Sequence, residues 1–322
     1  MSRAQALLAP LVPLYAAASG AKNLAYDRGW IQPKRLAWPV ISVGNLSVGG
    51  AGKTPVVIRL AQLLTEQGHP VDILSRGYGR TSSDTVRVDP EGPASRYGDE
   101  PVLIARRANV PVYIGADRYA AGSLAEREQS ASGIHLLDDG FQHRCLARDL
   151  DIVVLHRSDF SERLLPAGRL REPLSALRRA SILILRAEDR DLEAELRRRN
   201  ITALVWIQHR RLAIPPLSRS IAFCAIARPD EFFSALRNPG VDIAATSAFR
   251  DHHAWTDADL DQLLRLREQH HAETFITTEK DWVRFTPQQR ARLAPLNVAR
   301  LQVIFENESA VAVQLRSLPV RK

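Results

Sequence analysis

Short aliphatic and β-branched runs alternate with stretches of 3.6-residue apolar periodicity along most of the chain. That alternation predicts an α/β protein with a mainly parallel sheet flanked by helices. Val40-Ile41-Ser42-Val43 predicts the first strand, and the next helix carries Val56, Val57, Leu60, Leu63 and Leu64 on one face. Residues 71–74 predict a second strand, ending in the glycine turn Ser75-Arg76-Gly77-Tyr78-Gly79. Helical patterns follow Asp99 and Asp117, separated by a strand over residues 110–114. Residues 134–137 form a buried-type strand leading into Asp138-Asp139, and residues 151–155 form another. Strand patterns recur at 182–185, 203–207, 221–225, 272–277 and 298–303, with helical patterns at 230–236 and 257–269. Residues 157–171 lack a period and hold several arginines with a proline and a glycine, which predicts a mobile surface loop. Pro215-Pro216 marks a boundary between a larger core, residues 31–214, and a smaller C-terminal lobe, residues 215–322.

The first 30 residues form a segment of their own. Arg3 precedes a mostly apolar stretch from Ala4 to Ala18, then Ser19-Gly20-Ala21, an arrangement that imitates a secretory signal. The stretch is shorter than the roughly 20 apolar residues needed to span a bilayer, and Pro10 and Pro13 interrupt it. A second reading is a helix beginning near Pro13, with Leu11, Leu14, Tyr15 and Ala18 on one face and Lys22 and Arg28 flanking it. Such a helix lies on a membrane surface or packs on the core.

The 322 residues carry a net charge of +8, and only five of the basic side chains are lysines. A basic surface favours nucleotides, nucleic acid or acidic lipid headgroups, and the arginine fork suits phosphate. No zinc finger or aromatic-basic pattern supports nucleic acid, and no obligate protein partner is evident. Cys145 and Cys224 are the only cysteines, without CxxC spacing, which argues against a disulfide framework or thiolate zinc site.

The most specific signal is Ser47-Val48-Gly49-Gly50-Ala51-Gly52-Lys53-Thr54, which follows a strand and opens a helix. That context is what a P-loop requires. Its backbone N–H groups curl around phosphate oxygens, helped by the helix N-terminus. Lys53 is placed to reach the β- and γ-phosphates of ATP, and the Thr54 hydroxyl to ligate Mg²⁺. Ser47 stands where the usual first glycine is expected. Asp138 and Asp139 end a neighbouring buried strand, where a second Mg²⁺ contact sits in P-loop enzymes. Asp-Asp-Gly is also a good turn sequence.

Two acidic or histidine groups are candidates for activating an acceptor hydroxyl: Asp99 in Tyr97-Gly98-Asp99-Glu100-Pro101, and Asp251-His252-His253. A carboxylate beside an imidazole makes a base with its orienter. An Asp before a helix is equally an N-cap, and the two histidines have no third metal ligand at suitable spacing. Leu165-Pro166-Ala167-Gly168-Arg169-Leu170-Arg171-Glu172-Pro173 offers two arginines to clamp phosphate, or is a basic linker.

Together these segments resemble the tetraacyldisaccharide 4′-kinase family, the lipid A 4′-kinases. The similar stretches are Gly44 to Pro55, Ser75 to Gly79, Gly98-Asp99-Glu100-Pro101, Leu137-Asp138-Asp139-Gly140-Phe141-Gln142-His143, Leu165 to Pro173, Phe249-Arg250-Asp251-His252-His253 and Thr277-Thr278-Glu279-Lys280-Asp281. They follow the family's order, and the family's P-loop also lacks the first glycine. The resemblance implies transfer of the ATP γ-phosphate to the 4′-hydroxyl of a tetraacylated glucosamine disaccharide 1-phosphate. It implies that Lys53 and Thr54 hold phosphate and Mg²⁺ near Asp138 and Asp139. It implies too that Asp99 and His252 form the base dyad with Asp251 beside the histidine, that Arg171 contacts phosphate, and that Tyr78, Gln142 and His143 lie near the site. It further implies two lobes joined by a two-stranded linker, and anchorage at the cytoplasmic face of the bacterial inner membrane through the N-terminal helix, against anionic lipid. Without the resemblance, a P-loop kinase or ligase for a soluble small molecule and a nucleotide-gated membrane-binding protein stay open.

Overall fold

The computed structural model describes residues 8–50, 52–129, 131–237 and 241–316. Arg3, Ala4 and Ala51 therefore lie outside the described residues.

Among the described residues twelve strands form one continuous sheet: β1 Val40–Gly44, β2 Val71–Ser75, β3 Val86–Arg87, β4 Val112–Ile114, β5 Ile134–Asp138, β6 Leu150–Val154, β7 Ile182–Arg186, β8 Leu204–Ala213, β9 Ser220–Cys224, β10 Ile243–Ala248, β11 Thr274–Thr278 and β12 Leu296–Phe305. Their order is β10-β9-β11-β12-β8-β7-β6-β1-β5-β2-β4-β3. All neighbours run parallel except β8 with β12 and β3 with β4. The strands that read as continuous apolar runs are buried on both faces, as parallel strands must be. β3 was not anticipated, because two residues carry no period. β10, Ile-Ala-Ala-Thr-Ser-Ala, lacked the apolar bulk that marks a strand.

The helices that matter to the site are α1 Val12–Asp27, α2 Lys53–Glu66, α3 Asp99–Ala108, α4 Arg118–Glu128, α5 Pro229–Leu236, α6 Asp257–Gln269 and the single turn α7 Glu279–Trp282. α2 buries Val56, Val57, Ile58, Leu60, Ala61, Leu63 and Leu64 in a core shared with β1, β2 and β5. Burial of each large side chain there contributes about 1.5–3 kcal/mol, so the loop ahead of α2 hangs from a rigid frame. β8 and β12 form the antiparallel seam between the β9–β10–β11 group and the rest of the sheet. Pro215-Pro216 lies between β8 and β9.

Residues 157–171 differ from the expected surface loop. Ala167 and Leu170 are buried. The segment is stitched to the P-loop by Val48 N–H donating to Arg169 O at 2.8 Å and Arg171 N–H to Leu46 O at 2.7 Å. Its missing periodicity reflects a chain packed irregularly against another loop.

A buried polar cluster lies away from the crevice. Cross-strand register sets Asp72 beside His135, with Nδ1 2.7 Å from Asp72 Oδ1 and Nε2 3.3 Å from Glu126 Oε1. Burial lowers the imidazole's pKa, but the two carboxylates outweigh it and lift His135 to about 9. Burial pulls Asp72 upward as well, so the pair shares a proton. The imidazole's folded pKa lies above its unfolded value, so its stabilisation is present below about 6.5 and is lost as pH rises through about 9. Tm measured from pH 6.5 to 9.5 is therefore expected to fall more steeply in the native protein than in His135→Gln. Parallel profiles would refute the charged pair.

Candidate active site

The P-loop leaves the end of β1 and turns into α2. Gly49 (φ 94°) and Gly52 (φ 80°) occupy the left-handed region that side chains avoid. A Cβ at Gly49 would collide with the Arg169 guanidinium, and one at Gly52 with that of Arg210. The N-cap of α2 is Gly52, which has no side chain to cap the first turn, and the N–H groups of such a turn suit an anion. Lys53 Nζ donates to Asn45 Oδ1 at 2.8 Å and lies 3.3 Å from Asp139 Oδ1. Arg171 grips the same pair. Its Nη1 and Nη2 each lie 3.0 Å from an Asp139 oxygen, and Nη2 also reaches Asn45 Oδ1 at 2.8 Å and Ser47 O at 3.3 Å. Thr54 follows Lys53 in the first turn, half-buried.

Register places Asp138, the last residue of β5, beside Val43 of β1. Its Oδ2 accepts from Ser75 Oγ at 3.0 Å. Burial, then the Glu100 and Asp139 carboxylates, push its pKa up to about 7, against the opposing pull of Lys53. Asp139 faces the other way electrostatically. Burial acts upward, but Lys53 and Arg171 hold it down at about 2. Among the described residues no three His, Cys, Asp or Glu side chains group as a metal cage. Mg²⁺ does not need one, since it is commonly held by one or two carboxylates with phosphate oxygens and water. Asp138, whose own side chain is bonded, among the described residues, only to the Ser75 hydroxyl, and Thr54 fit that role. Asp139 is already committed to two cations.

The third group assembles from three distant segments. Gly98 (φ 92°) turns the chain into α3, so that Asp99 opens the helix. His252 follows β10 in a left-handed turn (φ 59°) and brings Nδ1 to 3.0 Å from Asp99 Oδ2. Arg284, past α7, donates to the same oxygen through Nε at 2.9 Å and Nη2 at 2.7 Å. Burial alone would raise the Asp99 pKa. The His252 hydrogen bond and the charges of Lys280 and Arg284 outweigh it and hold Asp99 well below the usual carboxylate range. An ionised carboxylate only accepts, so His252 carries its proton on Nδ1 and presents a lone pair at Nε2. Lys280 Nζ occupies that lone pair at 3.2 Å, and Asp251 Oδ2 lies 3.9 Å from Nε2. The Tyr78 ring meets the imidazole edge-on, centroids 5.8 Å apart. Lys280 also lies 3.2 Å from Glu100, so the dyad and the Asp138 carboxylate share one electrostatic neighbourhood. Ala227, after β9, lies so near Gly50 that a Cβ there would come within 3.3 Å of the Ala227 Cβ. The P-loop and the C-terminal strands thus wall one crevice.

Beyond Asp139 and Arg171 a cavity of about 270 Å³ is lined by Arg76, Arg118, Gln142 and His143. Arg118 is buried, its Nε has no hydrogen-bond partner, and its Nη1 donates only to Ala116 O at 2.8 Å. Burial and the neighbouring Arg76 lower its pKa. Burial and Arg118 push His143 down to about 4, so its ring is neutral. Gln142 Nε2 is spent on Asn45 O at 3.0 Å. A poorly compensated, arginine-lined hollow is chemically an anion site.

The structure therefore brings together Lys53, Asp139 and Arg171, and separately Asp99, Asp251 and His252. His253 points away, to Asp259 at 2.9 Å. Asn45, Arg118 and Arg284 had not been singled out. Asn45 is an uncharged residue inside the P-loop stretch. Arg284 stands three residues after Asp281, a spacing that places both on one side of a helical turn, and Arg118 sits just after the helix-capping Asp117.

Comparison with known proteins decides the family. A family model described as Tetraacyldisaccharide-1-P 4'-kinase matches residues 4–318. The chain belongs to the tetraacyldisaccharide 4′-kinase family. It is 42% identical to the tetraacyldisaccharide 4'-kinase of Koribacter versatilis over 324 residues, covering 97% of this chain and 99% of the relative. It is 40% identical to that of Geobacter metallireducens, covering 88% and 89%. A crystal structure titled as the "apo" form of LpxK from Aquifex aeolicus in complex with ATP superposes with a TM-score of 0.79 at 33% identity, covering 98% of this chain and 99% of that one.

Proposed function

We infer that the protein transfers the γ-phosphate of ATP to the 4′-hydroxyl of a tetraacylated glucosamine disaccharide 1-phosphate, a late step of lipid A biosynthesis. The observation that carries this reading is the meeting of Asp99 and His252, 153 residues apart, in the crevice that also holds the P-loop. Phosphoryl transfer asks for positioning and charge neutralisation. Lys53 and Arg171 supply cations, the first turn of α2 supplies N–H groups, and Thr54 with Asp138 would hold Mg²⁺, which neutralises phosphate charge when bound. His252 Nε2 takes the proton from the acceptor hydroxyl after Lys280 yields that position. Asp99 fixes the imidazole's tautomer, and Asp251 lies near enough to favour the imidazolium. The Arg76–Arg118 hollow suits the substrate's second anion, the 1-phosphate. The β8–β12 seam is our candidate for the link on which two lobes move.

The acceptor is a lipid, and the N-terminal segment supports work at its surface. Six of the eleven large hydrophobic side chains exposed among the described residues are Leu8, Leu11, Leu14, Leu24, Trp30 and Ile31. No helix among the described residues is long and apolar enough to cross a membrane. An apolar exposed face flanked by Lys22 and Arg28 fits a helix lying on anionic lipid at the cytoplasmic face of the inner membrane. Each nearby cation adds roughly 1 kcal/mol of attraction.

Incubation with radiolabelled ATP and the tetraacyl disaccharide 1-phosphate in detergent is expected to give a lipid carrying one more phosphate. ATP binding without a labelled lipid would overturn the assignment. Gly52→Ala is expected to weaken ATP binding about tenfold, since strain at such a backbone position costs about 1–3 kcal/mol and the Arg210 guanidinium must also move. Unchanged affinity by titration would place the phosphates elsewhere.

A further inference from the structure

α1 is tied to the body of the protein in an unusual way. None of its residues is fully buried, though Val12, Tyr15, Ala16, Ala25 and Tyr26 are half-buried. Directional polar contacts set its position. Tyr15 Oη donates to the backbone oxygen of Arg171 at 2.9 Å, and Asn23 Nδ2 donates to Glu172 Oε2 at 2.7 Å. Arg144 closes the far end, donating through Nη1 to Asn23 O at 3.0 Å and through Nη2 to Asp27 at 2.7 Å.

The two residues that α1 grasps sit at the phosphate end of the crevice. Arg171 has both backbone groups taken: its N–H by Leu46 O of the P-loop approach, its oxygen by Tyr15. Its side chain then spans Asp139, Asn45 and Ser47 O. Glu172 is buried, and Oε2 accepts from both Asn23 and Arg179. Its Oε1 has no partner. Removing the Asn23 donor leaves a buried carboxylate with Arg179 alone, a costly state that the chain relieves by shifting. A shift of residues 171–172 moves the Arg171 fork relative to Lys53 and Asp139.

We propose that Tyr15 and Asn23 are positioning residues: they clamp Arg171 in its phosphate-facing pose, so that the seating of α1 on the lipid surface is transmitted to the catalytic crevice. This rests on the reading that Arg171 contacts phosphate and that α1 faces the membrane. The helix is then part of the catalytic geometry as well as an anchor.

A double-mutant cycle on the full chain tests this. Activity is read at saturating lipid in mixed micelles, where membrane capture does not limit the rate. Tyr15→Phe/Asn23→Ala is expected to lower kcat about tenfold, with Tm within a few degrees of the native protein. Its sedimentation with vesicles of phosphatidylglycerol and phosphatidylethanolamine is expected to be unchanged. Introduced into Arg171→Ala, the same pair is expected to cost nothing further. An equal loss in both backgrounds, or no loss in the native background, overturns the clamp. Loss of vesicle binding in step with kcat also overturns it, in favour of plain anchoring. If Arg171→Ala alone leaves kcat and the KM for ATP unchanged, the phosphate role of Arg171 fails, and that result is distinguishable from failure of the clamp alone.

Discussion

His252→Ala is expected to lower kcat for lipid phosphorylation by about a thousandfold, with ATP affinity unchanged. The imidazole touches none of the P-loop groups, so nucleotide binding has no reason to respond. It is the group in the crevice whose lone pair is oriented by an anion: Asp99 Oδ2 sits 3.0 Å from Nδ1. Asp99 itself is a poor base. Three donors, His252 Nδ1 and Arg284 Nε and Nη2, converge on Oδ2, and the Glu100 backbone N–H holds Oδ1 at 3.0 Å. A carboxylate held so far toward its ionised form resists taking a proton. Asp99→Asn keeps the shape, removes the anion and leaves the tautomer unspecified, so kcat is expected to fall about a hundredfold. Steady-state kinetics with saturating ATP, beside an equilibrium nucleotide titration, separates the two effects. A His252→Ala enzyme with near-native kcat would remove the imidazole from the proton path.

Which of these features were legible in the sequence follows from how local their causes are. β1, β5 and α2 are written in their own residues, because parallel strands buried on both faces must be continuously apolar and α2 must be apolar on one face. The P-loop is legible for the same reason: strand, glycines, Lys53 and Thr54 are contiguous. The expected ends of β8 fell short, since the strand runs on to Ala213 through Gln208, His209, Arg210 and Arg211. Those polar residues stay extended because β12 pairs with them along their length, a partner about 90 residues away that no window contains. β10 is similar, a small-residue strand held by β9.

The site divides along the same line. Lys53, Asp138 and Asp139 were readable from adjacent motifs. The union of Asp99 with His252 rested on family resemblance, because only the fold brings the start of α3 to the turn after β10. Arg284 was invisible for a further reason. Arginine is the commonest cation of this chain, so one more carries no signal until its partners are known. The same excess hid Arg118, whose burial distinguishes it from the solvated arginines on Leu192–Arg198.

Arg284 is where packing and chemistry join, and its removal should show both. Its side chain is 9% exposed and bridges Asp99 to Asp281 (Nη1 to Oδ1, 3.2 Å) and to Ala225 O (3.0 Å). Asp99 belongs to the P-loop side of the seam, the other partners to the C-terminal side. Arg284→Met keeps the volume and deletes the charge. It leaves two buried carboxylates short of a cation, and breaking such a pair costs about 3–5 kcal/mol. Asp281 is wholly buried, with burial pushing its pKa upward and Arg284 first among the groups restraining it, so much of the cost falls there. Asp99 loses one of the two lysine and arginine charges that hold it down. The sign follows: its folded pKa lies below the unfolded value, so its contribution to stability is present above about pH 3.9 and disappears as pH falls through the folded pKa. In Arg284→Met that pKa rises toward the unfolded value, so the acid-side loss of stability moves to higher pH. At neutral pH His252 and Lys280 still hold Asp99 ionised, so kcat is expected to drop only about tenfold, from looser placement of the dyad across the seam. Urea unfolding at pH 7 and at steps down to about pH 3, beside kcat at pH 7, reports the effects. A variant as stable as the native protein, with the same acid-side loss of stability, would mean that Arg284 neither clasps the seam nor tunes Asp99.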